Sequence, residues 1–196
     1  MNTPTLIRDK VRRAEAGLLE FWLKPASTRP VAVLRIGVAG VLLYQAAALF
    51  SSVRDLFGPN GLVAWQALQS APGFSLDVSG PFHLSNIARL AAPLGMSPQT
   101  CVHFVFAVYC VSLVGMLLGC FTRISTVIAF LMHLCLTSTA VATTYGVDQF
   151  ARIALFYCIW FPTSRCLSFD AWRTGRTTAT SVSAGIGIRT LQLHLA

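Results

Sequence analysis

Two long apolar stretches without a charged residue constrain this chain more than any other feature. Residues 101–121 contain no Asp, Glu, Lys or Arg, and neither do residues 124–142. A helix of about 20 apolar residues matches the ~30 Å hydrocarbon core of a bilayer at ~1.5 Å per residue. The whole chain is 55% hydrophobic and only 11% charged, whereas soluble domains carry about 25% charged residues. We therefore expect an integral membrane protein.

Length and flanking residues predict two further complete spans and one incomplete span. The first complete span is residues 31–50, and the last is about residues 143–162, which include Asp148 and Arg152. A fifth helix begins near Ser181 and has sixteen residues in this sequence, which are too few to cross the bilayer. The predicted fold class is therefore an all-α membrane bundle of four complete transmembrane helices and a truncated fifth.

The first 29 residues form a separate, basic segment in this prediction. Apolar residues recur there every three or four positions, at Ile7, Val11, Ala14, Leu18 and Trp22. This period is typical of an amphipathic helix that lies in the plane of the membrane surface. A solvated basic tail is the alternative. Residues 30–196 then form one transmembrane domain with a long loop at 51–100, which we expect on the outer side.

The basic residues predict the orientation. Fifteen Lys and Arg stand against seven Asp and Glu, and seven of the fifteen lie within the first 35 residues. A cytoplasmic N-terminus places eleven basic residues inside and two in the 51–100 loop, as the positive-inside rule requires. We predict a multi-pass protein of the cell inner (plasma) membrane. The basic residues are not interleaved with aromatic ones, so the lipid bilayer is the expected partner and nucleic acid is not.

Polar side chains inside a predicted span cost about 2.5–3.5 kcal/mol on insertion scales and are candidate functional residues. Asp148 and Arg152 lie four residues apart, acid first, which favours an ion pair on one helix face. A structural clamp between helices is the alternative. His133 and His103 are candidates for proton transfer, with hydrogen-bonded packing as the alternative. Gln192 is expected to join helices through hydrogen bonds.

Two other polar residues and the cysteines receive structural roles. We expect Gln45 and Arg189 to hydrogen-bond between helices, and Arg35 to extend its charge towards the inner membrane surface. The six cysteines show no C-x-x-C spacing, so we predict packing residues and no metal site. Neither a nucleotide-binding loop nor a catalytic triad can be assembled, so the catalytic residues and cofactors remain unknown.

Over about residues 25–196, the order and spacing of several short stretches resemble one known family. They are Arg35-Ile36-Gly37, Phe57–Leu62, Gly119–Arg123, Phe130–His133, Tyr145–Arg152, Leu155–Tyr157, Phe161-Pro162 and Ser168–Ala171. The chain resembles the bacterial HTTM, or vitamin K-dependent γ-carboxylase-like, membrane domain proteins. That resemblance implies a helical bundle with a lipid-accessible pocket near the outer leaflet.

The resemblance also implies a function. Enzymes of the family oxidise reduced vitamin K and carboxylate glutamates, and other members resemble maturation factors of antimicrobial peptides. The carboxylase lysine has no counterpart here: residues 189–196 resemble only the approach to its segment, and no lysine follows Lys24. We expect a membrane-embedded helper in the maturation or export of a small secreted peptide, without carboxylase activity of its own.

Two alternatives stay open at this point. One is a non-catalytic membrane subunit or immunity-type protein that binds partner helices, so a partner membrane subunit stands beside the secreted peptide as a possible partner. The other is a fragment of a carboxylase-like or quinone-using membrane enzyme.

Overall fold

A computed structural model describes residues 12, 16–17, 19–62, 64–65, 82–140, 144–175 and 180–195. Most of these residues are helical, including residues 19–23. The helices named below are α1 Arg29–Leu49, α2 Val53–Phe57, α3 Leu84–Ala91, α4 Pro98–Leu118, α5 Thr122–Thr139, α6 Gly146–Trp160, α7 Phe169–Thr174 and α8 Val182–Leu195. Short 3-10 turns at Phe50–Ser52 and Ala92–Leu94 follow α1 and α3.

Helices α1, α4, α5 and α6 form the bundle. Helix α4 packs against α5 and α1, and α6 packs against both α5 and α1. One end of the bundle holds the turn between α4 and α5, and we call it the Thr122 end. The opposite end holds the last residues of α5 and the start of α6, and we call it the Thr139 end. Buried apolar side chains such as Leu42, Leu113 and Leu155 fill the space between the helices.

Two of these helices are long and apolar enough to cross a membrane. They are α1 with its continuation to Phe57, 29 residues in all, and α4, with 21 residues. Only 22% and 44% of their most apolar windows are buried inside the bundle. Their outward faces carry exposed apolar side chains such as Val41, Val111 and Leu118. Helices α6 and α8 have 15 and 14 residues, shorter than the ~20 residues of a full span.

Local sequence signals explain where α4 begins and ends. Ser97 accepts a hydrogen bond from the Thr100 N–H at 3.1 Å, and Pro98 occupies the first helical position, both usual at a helix N-terminus. At the other end, Gly119 has φ +72°, a left-handed conformation that glycine adopts without a steric cost. Phe121 follows with φ 45°, and α5 starts at the next residue.

A small sheet and α8 connect the two ends of the described chain. Strand β1 (Ala26–Ser27) pairs antiparallel with β2 (Thr180–Ser181), so the predicted all-α fold needs this correction. Two-residue strands are too short to show a period-2 pattern in the sequence. Helix α8 packs against β1 and α1. Of the predicted amphipathic stripe, only Trp22 lies inside the described residues.

The Arg189 guanidinium fixes α8 to the segment before β1. It donates hydrogen bonds to the carbonyl oxygens of Trp22 at 2.9 Å and Lys24 at 3.0 Å. It also lies 4.9 Å from the ring centroid of Phe21, within the range of a cation–π contact. The hydrogen bonding expected of Arg189 is therefore present, with backbone carbonyls as its acceptors.

Candidate functional site

A cavity of about 280 Å³ lies between α1, α4, α5 and the start of α6, at the Thr139 end. Most of its wall is apolar, and includes Leu42, Ala46, Leu49, Phe57, Phe106 and Leu136. The polar side chains on the wall include Gln45, Tyr109, His133, Thr137 and Asp148. An apolar wall with a few convergent polar groups is the usual composition of a ligand site.

Asp148 lies in the first turn of α6 and is largely buried, with 9% of its surface exposed. Its Oδ2 accepts a hydrogen bond from the Tyr145 N–H at 2.9 Å, which satisfies a backbone group just before the helix. Its Oδ1 accepts a hydrogen bond from Gln45 Nε2 at 2.9 Å. A carboxylate is also favoured here by the positive end of the helix dipole. These contacts place Asp148 on the cavity wall and tie α6 to α1.

Arg152 does not form the expected ion pair with Asp148 among the contacts of the described residues. Its NH2 group donates a hydrogen bond to Thr137 Oγ1 on α5 at 2.9 Å. Thr137 Oγ1 in turn donates to the His133 carbonyl oxygen at 2.8 Å. Neutral donors from α1 and from the backbone just before α6 bind both carboxylate oxygens of Asp148. The two side chains thus connect α6 to different neighbours, Asp148 to α1 and Arg152 to α5, and whether either has a functional role stays a prediction.

His133 links three helices. The Tyr109 hydroxyl on α4 lies 3.0 Å from His133 Nδ1, and His133 Nε2 lies 3.3 Å from the Asp148 carbonyl oxygen on α6. A carbonyl oxygen only accepts, so His133 Nε2 carries a proton in this contact; in the neutral imidazole Nδ1 is then the acceptor and the tyrosine hydroxyl is its donor. His133 is therefore hydrogen-bonded to two other helices at the cavity wall, and its role in proton transfer stays a prediction.

Tyr109 is a site residue that sequence reasoning missed. It is the sole tyrosine in the charge-free stretch 101–121, and a buried tyrosine hydroxyl needs a hydrogen-bond partner. That requirement was the available signal, but it does not identify the partner.

The other two candidates from the sequence lie away from the cavity. His103 is exposed on α4, and its Nδ1 lies 2.8 Å from the Gln99 carbonyl oxygen one turn earlier. It borders a separate groove that includes Phe50 and Val111. Gln192 is exposed on α8. The structure therefore brings Asp148 and His133 together on the cavity wall, with Arg152 bonded to Thr137 beside them.

A second polar cluster lies at the Thr122 end and centres on Arg35. The Arg35 side chain is fully buried, at 0% exposure, and donates a hydrogen bond to the Leu167 carbonyl oxygen. Within the described part of the chain, its Nε and NH1 atoms have no partner. The expected extension of this charge to the membrane surface is therefore wrong. The turns after α4 and α6 cover the guanidinium, since a Cβ on Gly119 would lie only 2.5 Å from NH1.

Asp170, in α7, holds the start of α5 in the same cluster. Its carboxylate accepts hydrogen bonds from the Phe121 N–H at 3.0 Å, and from the Thr122 N–H and hydroxyl at 2.8 Å each. Its own N–H donates to the Gly119 carbonyl oxygen at 3.0 Å. Partial burial disfavours the charged form, but these hydrogen bonds and nearby Arg173 outweigh it and hold the pKa of Asp170 below its usual value.

A third buried polar group lies beside α3. His83 is fully buried, and its Nδ1 accepts a hydrogen bond from the Ser85 N–H at 3.2 Å. Its ring contacts Trp65 edge to face, with the centroids 5.9 Å apart. Burial lowers the pKa of His83 below its usual value, because the charged imidazolium would lose its hydration.

The described residues contain no group of three or more His, Cys, Asp or Glu side chains that could hold a metal ion. All six cysteines are free thiols, and Cys101, Cys135 and Cys158 are buried in the bundle. Comparisons with protein-family models, curated proteins and solved structures found no match for this chain. The described residues define a helical bundle with two apolar helices of membrane-spanning length and a largely apolar cavity edged by Asp148 and His133.

Proposed function

We propose that this protein is a membrane-embedded helper in the maturation or export of a small secreted peptide, and that its cavity receives an apolar part of that peptide. The observation that carries the proposal is the cavity itself. Its volume of about 280 Å³ is close to the lower end of ligand pockets, ~300 Å³. A cavity of this size accommodates one or two apolar side chains with their backbone rather than a folded peptide.

Exposed apolar surface supports a position in the membrane. The core helix of a soluble protein is mostly buried, whereas 22% of the most apolar window of α1 is buried here. Water would contact the remaining apolar surface at a cost of about 25 cal/mol per Å². The distribution of Lys and Arg supports an inner (plasma) membrane protein with a cytoplasmic N-terminus. In that orientation the Thr139 end, and the cavity with it, lies towards the outside.

A variant that fills the cavity tests this role. Ala46 is buried and lines the cavity, whereas Ala47, the next residue of α1, is exposed. Ala46→Leu places three extra carbon atoms in the cavity, and Ala47→Leu places them outside the bundle. Each variant would replace the wild-type chain in its native host, with the amount of membrane-inserted protein measured in parallel.

The readout is the set of small peptides in the culture medium, quantified by mass spectrometry. We expect Ala46→Leu to reduce at least one secreted peptide tenfold or more, and Ala47→Leu to leave the set unchanged. If both variants secrete the wild-type set at equal protein levels, the proposed role is wrong.

A further inference from the structure

The charge of Asp148 identifies the chemistry of the group that the cavity receives. Asp148 is the one Asp, Glu, Lys or Arg among the described residues that line the cavity. It is largely buried, and its carboxylate accepts hydrogen bonds from Gln45 and from the Tyr145 backbone. Both of these donors are neutral. Hydrogen bonds from neutral donors stabilise the carboxylate but leave its negative charge uncompensated.

The nearby cation is held elsewhere. Arg152 donates its hydrogen bond to Thr137 Oγ1 on α5, not to the Asp148 carboxylate. Thr137 is itself anchored to the His133 carbonyl oxygen, so the hydroxyl that binds the guanidinium has a fixed position. Both ring nitrogens of His133 are engaged, one by the Tyr109 hydroxyl and the other by the Asp148 carbonyl oxygen, so neither contacts the Asp148 carboxylate. The described residues that line the cavity therefore include one carboxylate and no Lys or Arg.

We propose that the ligand of this cavity carries an ammonium group next to an apolar side chain, and that the ammonium group binds Asp148. Each carboxylate oxygen has a second lone pair beyond the one its present donor uses, so an incoming ammonium group can bind without displacing Gln45. The proposal rests on the peptide role proposed above and deepens it, since a peptide N-terminus that begins with an apolar residue has this chemistry. An uncharged group of the same size lacks the ion pair.

A pair of probes with and without an N-terminal ammonium group tests the inference, and the carboxylate variants described next separate the loss of the charge from the added acetyl group. Leu-Leu-amide has a free N-terminal ammonium group, and N-acetyl-Leu-Leu-amide has the same apolar side chains without it. Binding of each would be measured by calorimetry to the purified full-length chain in dodecyl maltoside, a detergent without an amine. We expect the free amine to bind at least tenfold more tightly than the acetylated probe.

Matched carboxylate variants assign the preference to one residue. Asp148→Asn should bind both probes equally, and Asp148→Glu, which keeps the charge, should retain part of the preference. Asp55→Asn removes a carboxylate that is exposed on α2 and should retain all of it. A separate titration uses short-chain phosphatidylethanolamine, whose amine belongs to a lipid, and should not displace Leu-Leu-amide. Displacement would identify a lipid headgroup as the source of the ammonium group and overturn the assignment to a peptide.

Failure of this inference is distinguishable from failure of the peptide role. Equal binding of the two probes by the wild-type chain, or an unchanged preference in Asp148→Asn, overturns the ammonium site even when Ala46→Leu still blocks peptide secretion. Absence of binding by both probes also overturns it. The peptide role itself fails only in the secretion experiment. The comparison of two probes on the wild-type chain needs no variant, so a poorly folded Asp148→Asn protein does not remove the test.

Discussion

Replacing Asp170 by alanine should destabilise the protein, because the Asp170 side chain in α7 accepts the hydrogen bonds of the groups at the start of α5. Three hydrogen bonds of 2.8–3.0 Å, from the Phe121 N–H, the Thr122 N–H and the Thr122 hydroxyl, end on this carboxylate. Two of the donors are N–H groups at the start of the helix, which have no partner within the helix. Thr122 is buried, with 1% exposure, so water does not readily replace the lost acceptor.

The magnitude follows from these contacts. Loss of a helix N-cap costs about 1 kcal/mol, with a range of 0.5–2. An unsatisfied buried hydroxyl adds about 1–3 kcal/mol. Because Asp170 itself is only partly buried, we take the lower half of these ranges and expect a loss of about 2–3 kcal/mol. For a chain of this size, that corresponds to a fall in Tm of roughly 4–12 °C. Asp170→Asn keeps one acceptor oxygen and should lose about half as much.

Thermal unfolding in detergent measures this difference. A thiol-reactive dye reports unfolding, because Cys135 and Cys158 are buried and free in the folded chain. Asp55→Ala, at an exposed carboxylate, is the matched control and should stay within about 0.5 kcal/mol of the wild type. If Asp170→Ala unfolds at the same temperature as Asp55→Ala, the carboxylate does not hold the start of α5 and the reasoning is refuted.

The pH dependence of the Asp170→Ala effect provides an independent check. The folded-state pKa of Asp170 lies below its ordinary value of 3.8, so its contribution is fully present above that pH. The contribution is lost as the pH falls through the folded-state pKa. The difference in Tm between the wild type and Asp170→Ala should therefore be constant from about pH 7 to pH 5 and shrink below about pH 4. A difference that grows on acidification would contradict the assigned direction.

Three further perturbations test other parts of the structure by the same unfolding assay. Gly119→Ala should lower the free energy of unfolding by at least about 1 kcal/mol more than Gly95→Ala. Both glycines have a positive φ, but only a Cβ at Gly119 meets neighbouring atoms. Equal losses of stability would show that the close contact is absent. Burial lowers the pKa of His83, so on acidification below about pH 6.5 the unfolded chain binds a proton at this residue before the folded chain does, and the wild type should lose stability. The Tm of His83→Gln should therefore fall less than that of the wild type between pH 7.5 and 5.5. Tyr109→Phe should cost about 1–2 kcal/mol by leaving His133 Nδ1 without its donor, and a neutral result would contradict that hydrogen bond.

The sequence predicts the long helices to within a few residues because their signals are local. The second predicted span, 101–121, corresponds to α4 at Pro98–Leu118, and the third, 124–142, corresponds to α5 at Thr122–Thr139. Hydropathy locates the apolar centre of each helix, whereas caps and turns set its ends. The first predicted span, 31–50, likewise corresponds to α1 at Arg29–Leu49.

The contacts of the polar residues were not predictable in the same way, because their partners are distant in the sequence. The spacing of Asp148 and Arg152 favours an ion pair in an isolated helix. In the folded chain, Gln45, 103 residues away, binds the carboxylate, and Thr137 binds the guanidinium. Local spacing contains no information on either partner. For the same reason, the burial of Arg35 was not predictable from the sequence: its hydrogen-bond acceptor is a carbonyl oxygen 132 residues away.

The two polar clusters differ in what their side chains bind, and on this basis we assign a structural role to one cluster and propose ligand binding for the other. At the Thr122 end, Arg35 and Asp170 bind mainly backbone groups at the ends of helices and in turns, namely the Leu167 carbonyl and the N–H groups of residues 121 and 122. Such contacts fix the course of the chain. At the Thr139 end, three hydrogen bonds join side chains of different helices, namely Gln45 to Asp148, Tyr109 to His133 and Arg152 to Thr137, and they border a cavity. A side-chain pair on a cavity wall keeps acceptor capacity for a ligand, which is why the ligand is assigned to Asp148 and the Arg35 cluster to the fold.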